Sequence, residues 1–412
     1  MQSRPHIAVV GAGIVGICTA YFLNKSGFQV TLIDKNEPGS MTSFGHACTF
    51  ADYACVPVNS PELFKEIPSM LLRSDGPLSI DFFHVIKNFS WSIKFLQNCT
   101  KKKVNHISKS LGNILNSASI SYDEIFSDVN VSDYIKNEEA LYLHQNENEF
   151  LKAKITNELR EKNGVKIKTL SKNEILDLEP NLSPVFYNGQ IFLGSRHTNN
   201  PSMISKKVFE TFINNGGRFI QSEVNNIIPK ESSITLTYNS TDHKFEKVVV
   251  CAGSWSNDLT KKFGENFPLD TERGYHVMFD NNGLINRPIG WSQSGFYLVQ
   301  LDDGLRAAGT VEIAGLSKPK NTKRTKMIEM QARKLLPQLK EVKSTWLGFR
   351  PTLPDSLPVI GPSKINKNII YGFGHQHIGW TLGAVTGKII NSICNDRVPN
   401  INIEPFNTSR FN

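Results

Sequence analysis

One short stretch constrains the fold more than any other. Gly11-Ala12-Gly13-Ile14-Val15-Gly16 follows an apolar run, His6-Ile-Ala-Val-Val10, and opens a segment, Ile14 to Ser26, with apolar residues at helical spacing up to Gly27. Gln29 to Asp34 then reads as a second strand that ends on a carboxylate. The pattern predicts a β-α-β unit with G-x-G-x-x-G at its first turn, a context far more specific than a lone glycine match. Gly11 permits the tight turn, Gly13 lets the backbone approach a pyrophosphate, and Gly16 lets helix and strand pack closely. The free N–H groups of the helix N-terminus, around Ala12, Ile14 and Val15, suit anionic oxygens. Asp34, with Lys35 beside it, is placed to accept hydrogen bonds from ribose hydroxyls, and its charge repels a 2′-phosphate. Such a site holds an ADP half, which FAD and NAD share, so the motif alone does not choose between them.

Three further segments make the choice. Thr42-Ser43-Phe44-Gly45-His46-Ala47 follows the second strand with small and hydroxyl residues suited to a pyrophosphate and a flavin. Val248 to Trp255 is a buried strand opening into a glycine turn, so Ala252, Gly253 and Trp255, with Val224 before them, are expected against the cofactor. Gly372 to Gly383 is a second glycine turn leading into a helix. There Gly374, Ile378, Gly379, Trp380 and Thr381 are expected near the flavin, whose N1–C2 locus a helix N-terminus stabilises when negative. A nicotinamide enzyme has no evident need for that third element.

The rest of the chain places these motifs. Its 412 residues are enough for two to three domains, and 39% hydrophobic with 20% charged residues excludes disordered, collagenous and coiled-coil chains. Aromatic and aliphatic residues recur at helical spacing from Ile80 to Asn98, and polar helical stretches are expected on to Lys162. Asn200-Pro201 predicts an N-cap and first helical position, the helix running to Asn215 before Gly216-Gly217 and a strand at Arg218 to Gln221. From Pro268 to Gly315 the pattern changes to alternating strands, Gly274 to Phe279, Phe296 to Gln300 and Leu305 to Ile313. Asp302-Asp303-Gly304 supplies a hairpin between the last two.

Net charge of +8 is spread out, with clusters at Lys101 to Lys103 and at Lys318, Lys320, Lys323, Arg324 and Lys326. No aromatic residues interleave with them, so they read as solvated loops or helix ends, not as a nucleic-acid surface, and leave a mild attraction to anionic membranes. Cysteines 18, 48, 55, 99, 251 and 394 form neither a metal-like cluster nor a disulfide framework, which suits a reducing cytosol. The start runs straight into the first strand and does not read as a cleavable signal peptide. Asn368 to Gly387 is uncharged over about the length of a membrane span, but its glycines beside His375, Gln376 and His377 make it a turn and helix.

At these residues the chain resembles the FAD-dependent D-amino-acid oxidase superfamily, closest to the D-amino-acid dehydrogenase type, with glycine oxidase and sarcosine oxidase as relatives. The resemblance covers nearly the whole chain and is carried most clearly by Gly348-Phe-Arg-Pro-Thr-Leu-Pro-Asp-Ser-Leu-Pro-Val-Ile-Gly361, with Glu272-Arg-Gly-Tyr-His276 upstream. It implies an α/β fold: a Rossmann-like FAD-binding domain of the glutathione-reductase type, with an inserted α+β substrate domain built on an antiparallel sheet. The expected division gives residues 1–80, 195–260 and 340–412 to the FAD-binding domain and 81–194 and 261–339 to the substrate domain.

The resemblance implies that Arg350 grips a substrate carboxylate, and the chemistry agrees, since a planar guanidinium holds a carboxylate bidentately. Tyr275 is expected to bond the same carboxylate or cap the pocket, with Tyr297 a weaker candidate. His375 is expected beside the flavin, with His377 and His46 as further candidates; His46 stands where many relatives carry asparagine. No cysteine lies between Trp346 and Gly361, where sarcosine-oxidase relatives attach flavin, so FAD is expected to be noncovalent. The expected reaction is hydride transfer to flavin N5 from the CH–NH bond of a small amino or imino acid, foremost a D-amino acid such as D-proline or D-hydroxyproline. The alternatives are a glycine- or sarcosine-type amine oxidase and a flavin-binding subunit of a larger electron-transfer complex. The electron acceptor is a quinone, an electron-transfer protein or dioxygen, and the expected location is the cytoplasm or the cytoplasmic face of a membrane.

Overall fold

The computed structural model describes residues 5–62, 76–292 and 294–411; residues 63–75, within the expected 1–80 segment, and most of the chain start lie outside them. Its organising element is a six-stranded sheet in the order Arg218–Gln221, Gln29–Asp34, His6–Val10, Lys247–Val250, Ile369–Phe373, Val359–Pro362. The first five are parallel and the last is antiparallel to its neighbour. Because side chains alternate along a strand, both faces of this central sheet are buried. Ile7, Val9 and Leu32 face helices Ile14–Lys25, Pro201–Asn214 and Gly379–Cys394. Ala8, Val10, Ile33 and Val248 face a three-stranded sheet, Asn226–Pro229, Ile234–Tyr238 and Thr241–Phe245, which the sequence reading did not identify.

The β-α-β unit forms over the expected residues, with helix Ile14–Lys25 starting directly after the glycine turn. Asn200 caps helix Pro201–Asn214 by accepting the Met203 N–H at 3.1 Å. Strands Phe296–Leu301 and Gly304–Ile313 form the hairpin, pairing Leu301 with Gly304 across Asp302-Asp303.

The second body is a nine-stranded sheet. Its main path runs Val342–Thr352, Asp270–Phe279, Gly304–Ile313, Phe296–Leu301, Ile289–Trp291, Leu141–His144, Asn188–Phe192, Ile167–Leu170, and Leu78–Ile80 joins at Gly304–Ile313. It is mixed, where an antiparallel sheet was expected: Ile289–Trp291 runs parallel to Leu141–His144, and Val311–Ile313 parallel to Leu78–Ile80. Leu141–His144 also interrupts the helical stretch expected up to Lys162, being too short to show a period in the sequence. Strand Val342–Thr352 hydrogen-bonds into this sheet although it follows the expected boundary at 340. Helix Thr322–Leu335 covers the far face through Met327, Ile328, Ala332 and Leu335. The basic cluster before and within that helix is not simply solvated: Arg324 is buried and donates to the carbonyls of Gly76 and Pro77 at 2.9 and 2.7 Å. Among the described residues no helix is long and apolar enough to cross a membrane.

Helices Ile14–Lys25 and Gly379–Cys394 meet where Gly387 touches the backbone of Cys18: a Cβ on Gly387 would sit 2.8 Å from the Cys18 carbonyl group and 2.9 Å from the Thr19 nitrogen. Neither neighbour is a flexible side chain, so Gly387→Ala is expected to cost about 1–3 kcal/mol, read as a lower urea midpoint. An unchanged midpoint would contradict this packing.

Candidate active site

A cavity of about 760 Å³ lies between the C-terminal ends of the parallel strands and one face of the nine-stranded sheet, the place where α/β sheets bind ligands. At its nucleotide end Gly11 turns with φ of +106°, and a Cβ on Gly16 would overlap the Gly11 carbonyl oxygen, so helix and strand meet at contact distance there. Gly13 is the N-cap residue and makes no side-chain cap, and the nearest atom to a Cβ placed on it is Ser43 Oγ at 3.5 Å. Ser43 Oγ itself accepts the Ile14 N–H at 2.9 Å. The Asp34 carboxylate accepts the Ala12 N–H at 2.7 Å and the Asn36 N–H at 2.8 Å, bracing the turn while it lines the cavity. Lys35 pairs with Glu223 at 2.9 Å and lies 5.9 Å above the Trp255 ring.

The loop after the second strand is held from both bodies. Thr42 Oγ1 donates to the Phe349 carbonyl at 2.9 Å, and buried Arg306 donates to the carbonyls of Phe44 and His46 at 2.8 and 3.2 Å. His46 accepts the Cys48 N–H on Nδ1 at 2.9 Å and stacks on Trp380 with ring centroids 4.3 Å apart. Burial, then the charges of Arg306 and His276, holds His46 well below the usual histidine range, so it is neutral with its proton on Nε2. That Nε2 and Trp380 Nε1 are buried donors with no partner among the described residues, and both residues line the cavity. Unmet buried donors are costly, and here they face the space beside the N-terminus of helix Gly379–Cys394. A glycine-cradled helix N-terminus at one end and unmet donors beside a second helix N-terminus at the other fit a molecule with a pyrophosphate and a polar ring edge, as FAD has.

Of the expected cofactor residues, Gly11, Gly13, Ile14, Val15, Asp34, Lys35, Ser43, His46, Ala47, Val224, Ala252, Gly253, Trp255, Gly379 and Trp380 line the cavity. The other six, Ala12, Gly16, Phe44, Gly374, Ile378 and Thr381, sit next to the lining residues and brace them. Ala12 donates to Asp34, Gly16 packs helix on strand, and Phe44 lies under Arg306, whose guanidinium carbon is 5.2 Å from the ring centroid. Thr381 Oγ1 accepts the Ala51 N–H at 2.9 Å, Gly374 turns with φ of +83°, and Ile378 is buried in the helix-side core.

On the substrate side, Arg350 stands on the cavity wall. Its strand neighbour Glu272 is directly opposite in register and lines the same cavity. The guanidinium lies across Gly274, where a Cβ would overlap its terminal nitrogen, and donates to the Thr310 carbonyl at 2.8 Å. Burial lowers the Arg350 pKa and Glu272 opposes that shift; burial raises Glu272, and Arg350 with Thr352 opposes it. Among the described residues no carboxylate lies within ion-pair distance of Arg350.

Tyr275 lines the cavity, while its hydroxyl is tied into the protein. Glu272 and Gly274 line the cavity too, and Tyr275 also packs into the core of the nine-stranded sheet. Its hydroxyl donates to buried Glu312, which pairs with Arg273 at 3.3 Å, and accepts the Asn321 N–H at 3.3 Å. Burial, reinforced by Glu312, pushes its pKa up to about 12. His375 reaches the cavity wall, with its Nε2 bonded to Thr386 Oγ1 at 3.0 Å, and burial drives its pKa to about 3, so its ring is neutral. His377 is open to the cavity and close enough to Arg350 for that charge to add to burial, taking it to about 4. Sequence reasoning passed over Glu272 as a site residue; period-two counting from Gly274 would have found it.

Comparison with known proteins agrees with this geometry. The FAD dependent oxidoreductase family (DAO) matches residues 6–393. A D-amino-acid oxidase from Bradyrhizobium diazoefficiens is 30% identical over the whole of both chains. A D-amino acid dehydrogenase from Vibrio atlanticus is 25% identical over 98% of this chain and 99% of its own. The solved glycine oxidase from Geobacillus kaustophilus shares the fold, with TM-score 0.75 at 18% identity over 99% of each chain. The chain belongs to the FAD-dependent oxidoreductase family, and it is an enzyme that carries FAD as a noncovalently bound cofactor.

Proposed function

We propose that this enzyme oxidises the CH–NH bond of a small amino or imino acid, foremost a D-amino acid. The observation that carries the reading is Arg350: a guanidinium on the wall of the cavity, tied to one carbonyl and lacking a carboxylate partner among the described residues. A half-buried cation without a carboxylate partner is costly, and an incoming carboxylate satisfies it with two parallel hydrogen bonds. The names of the relatives at 30% and 25% identity support the D-amino-acid class, with cyclic D-proline and D-hydroxyproline as candidates.

In this scheme Arg350 fixes the carboxylate, and Gly274 leaves the space in which the guanidinium lies. Glu272, beside it and with a pKa raised by burial, takes a proton from the substrate's ammonium onto its carboxylate, leaving the neutral amine that gives up its α-hydrogen. FAD, when bound, would supply the two-electron acceptor for that hydride, and the substrate would be left as an iminium that loses a proton to give an imine. Water then converts an acyclic imine to a 2-oxo acid and ammonia, while a cyclic imine persists. His375 and Tyr275 line the same cavity, each tied to a protein partner, Thr386 and Glu312. Dioxygen, a quinone or an electron-transfer protein completes the cycle by reoxidation.

Steady-state kinetics with an artificial acceptor test the role of Arg350. Arg350→Ala is expected to raise KM, lower kcat and reduce kcat/KM about a hundredfold or more while FAD stays bound, the cost of removing a half-buried charge partner. Unchanged turnover of a carboxylate substrate would remove the role. Gly274→Ala is expected to displace the guanidinium and raise KM about tenfold; a wild-type KM in that variant would show that the arginine does not bind from this position.

A further inference from the structure

Helices Phe82–Lys87 and Phe89–Gln97 carry a surface unlike the rest of the described molecule. Phe82, Phe83 and Phe89 are 71%, 82% and 62% exposed, and Ile86 and Ile93 are exposed with them. The second helix is seated from beneath by Trp91, buried and stacked on Phe95 at 5.3 Å, so the exposed rings are the outward face of an anchored element. Asp81 caps the first helix through the His84 N–H at 2.8 Å and pairs with Lys318.

Charge says what this face meets. From Phe82 to Tyr122 the chain contains Lys87, Lys94, Lys101, Lys102, Lys103 and Lys109, and no aspartate or glutamate. All six lysines are exposed, and none is in an ion pair among the described residues. Exposed phenylalanines with Lys87 and Lys94 between and after them, on helices too short to span a bilayer, and Lys101, Lys102, Lys103 and Lys109 on the next helix, Lys101–Leu115, are the composition of an element that lies in a lipid interface. A second protein chain would meet the apolar rings equally well, but an unbroken run of cations without a carboxylate selects an anionic surface.

We infer that this helix pair docks the enzyme on an anionic lipid bilayer, with the Phe82, Phe83 and Phe89 rings at the acyl boundary and the lysines on headgroup phosphates. The first helix follows directly on Leu78–Ile80, which pairs with Val311–Ile313, and Val311 lines the cavity. A single strand therefore joins the docking face to the wall of the flavin site. The inference stands apart from the choice of substrate.

Sedimentation of the FAD-loaded full chain with vesicles tests it. The enzyme is expected to sediment with vesicles containing phosphatidylglycerol, much less with pure phosphatidylcholine, and to be released by high salt. Phe83→Ser with Phe89→Ser, and separately Lys101→Glu with Lys102→Glu, are each expected to weaken vesicle binding about tenfold while turnover with a soluble acceptor is retained. Wild-type enzyme left in the supernatant with phosphatidylglycerol vesicles overturns the inference. So does sedimentation of the phenylalanine double variant equal to wild type, or conversion of a wild-type dimer to a monomer by that variant, which would give the face to a second copy.

Discussion

A cation that the protein leaves without a carboxylate governs the substrate half of this molecule. Arg350 is held across Gly274 by a backbone carbonyl and faced in register by Glu272, whose own charge burial opposes. Such a group is tolerated only on a rigid wall, because motion would let it seek solvent or the neighbouring carboxyl. The wall is rigid because the opposite face of the same strands is closed by helix Thr322–Leu335 and by the Arg273–Glu312–Tyr275 network. Tyr275 lines the cavity and ties its hydroxyl into this network.

The cofactor half depends on close approach. Gly11 and Gly16 bring helix Ile14–Lys25 against the first strand, and Gly387 brings the last helix against Cys18. These contacts aim two helix N-termini, at Gly13 and Gly379, into one cavity from different ends. The two halves are joined where the substrate sheet reaches into the cofactor loop: Arg306 binds the carbonyls of Phe44 and His46, and Gly45 presses so closely on Trp346 that a Cβ there would overlap the ring. His46, stacked on Trp380, keeps its unmet donor in the cavity as a result.

Legibility in the sequence followed locality. The first β-α-β unit, the Asn200 cap and the Asp302-Asp303 hairpin were readable because each is specified by residues adjacent in the chain. Leu141–His144 and Leu78–Ile80 were not, since strands this short acquire their identity from the partners they meet across the fold. The same distinction divides the site. Glycines and Asp34 announce themselves by spacing, whereas the tie of Tyr275 to Glu312, the burial of Arg324 and the cavity position of Glu272 follow from strand alternation and distant packing.

The central claim is that Arg350 presents a carboxylate-bearing amine to the flavin. Its most direct measurement is the visible absorbance of the purified, FAD-loaded enzyme during anaerobic addition of D- and L-amino acids, including both prolines and hydroxyprolines, with glycine and sarcosine. The account predicts that the flavin bands bleach with D-amino acids and that the same amines without their carboxylate leave the bands unchanged. Bleaching by decarboxylated amines as fast as by the parent acids would contradict it.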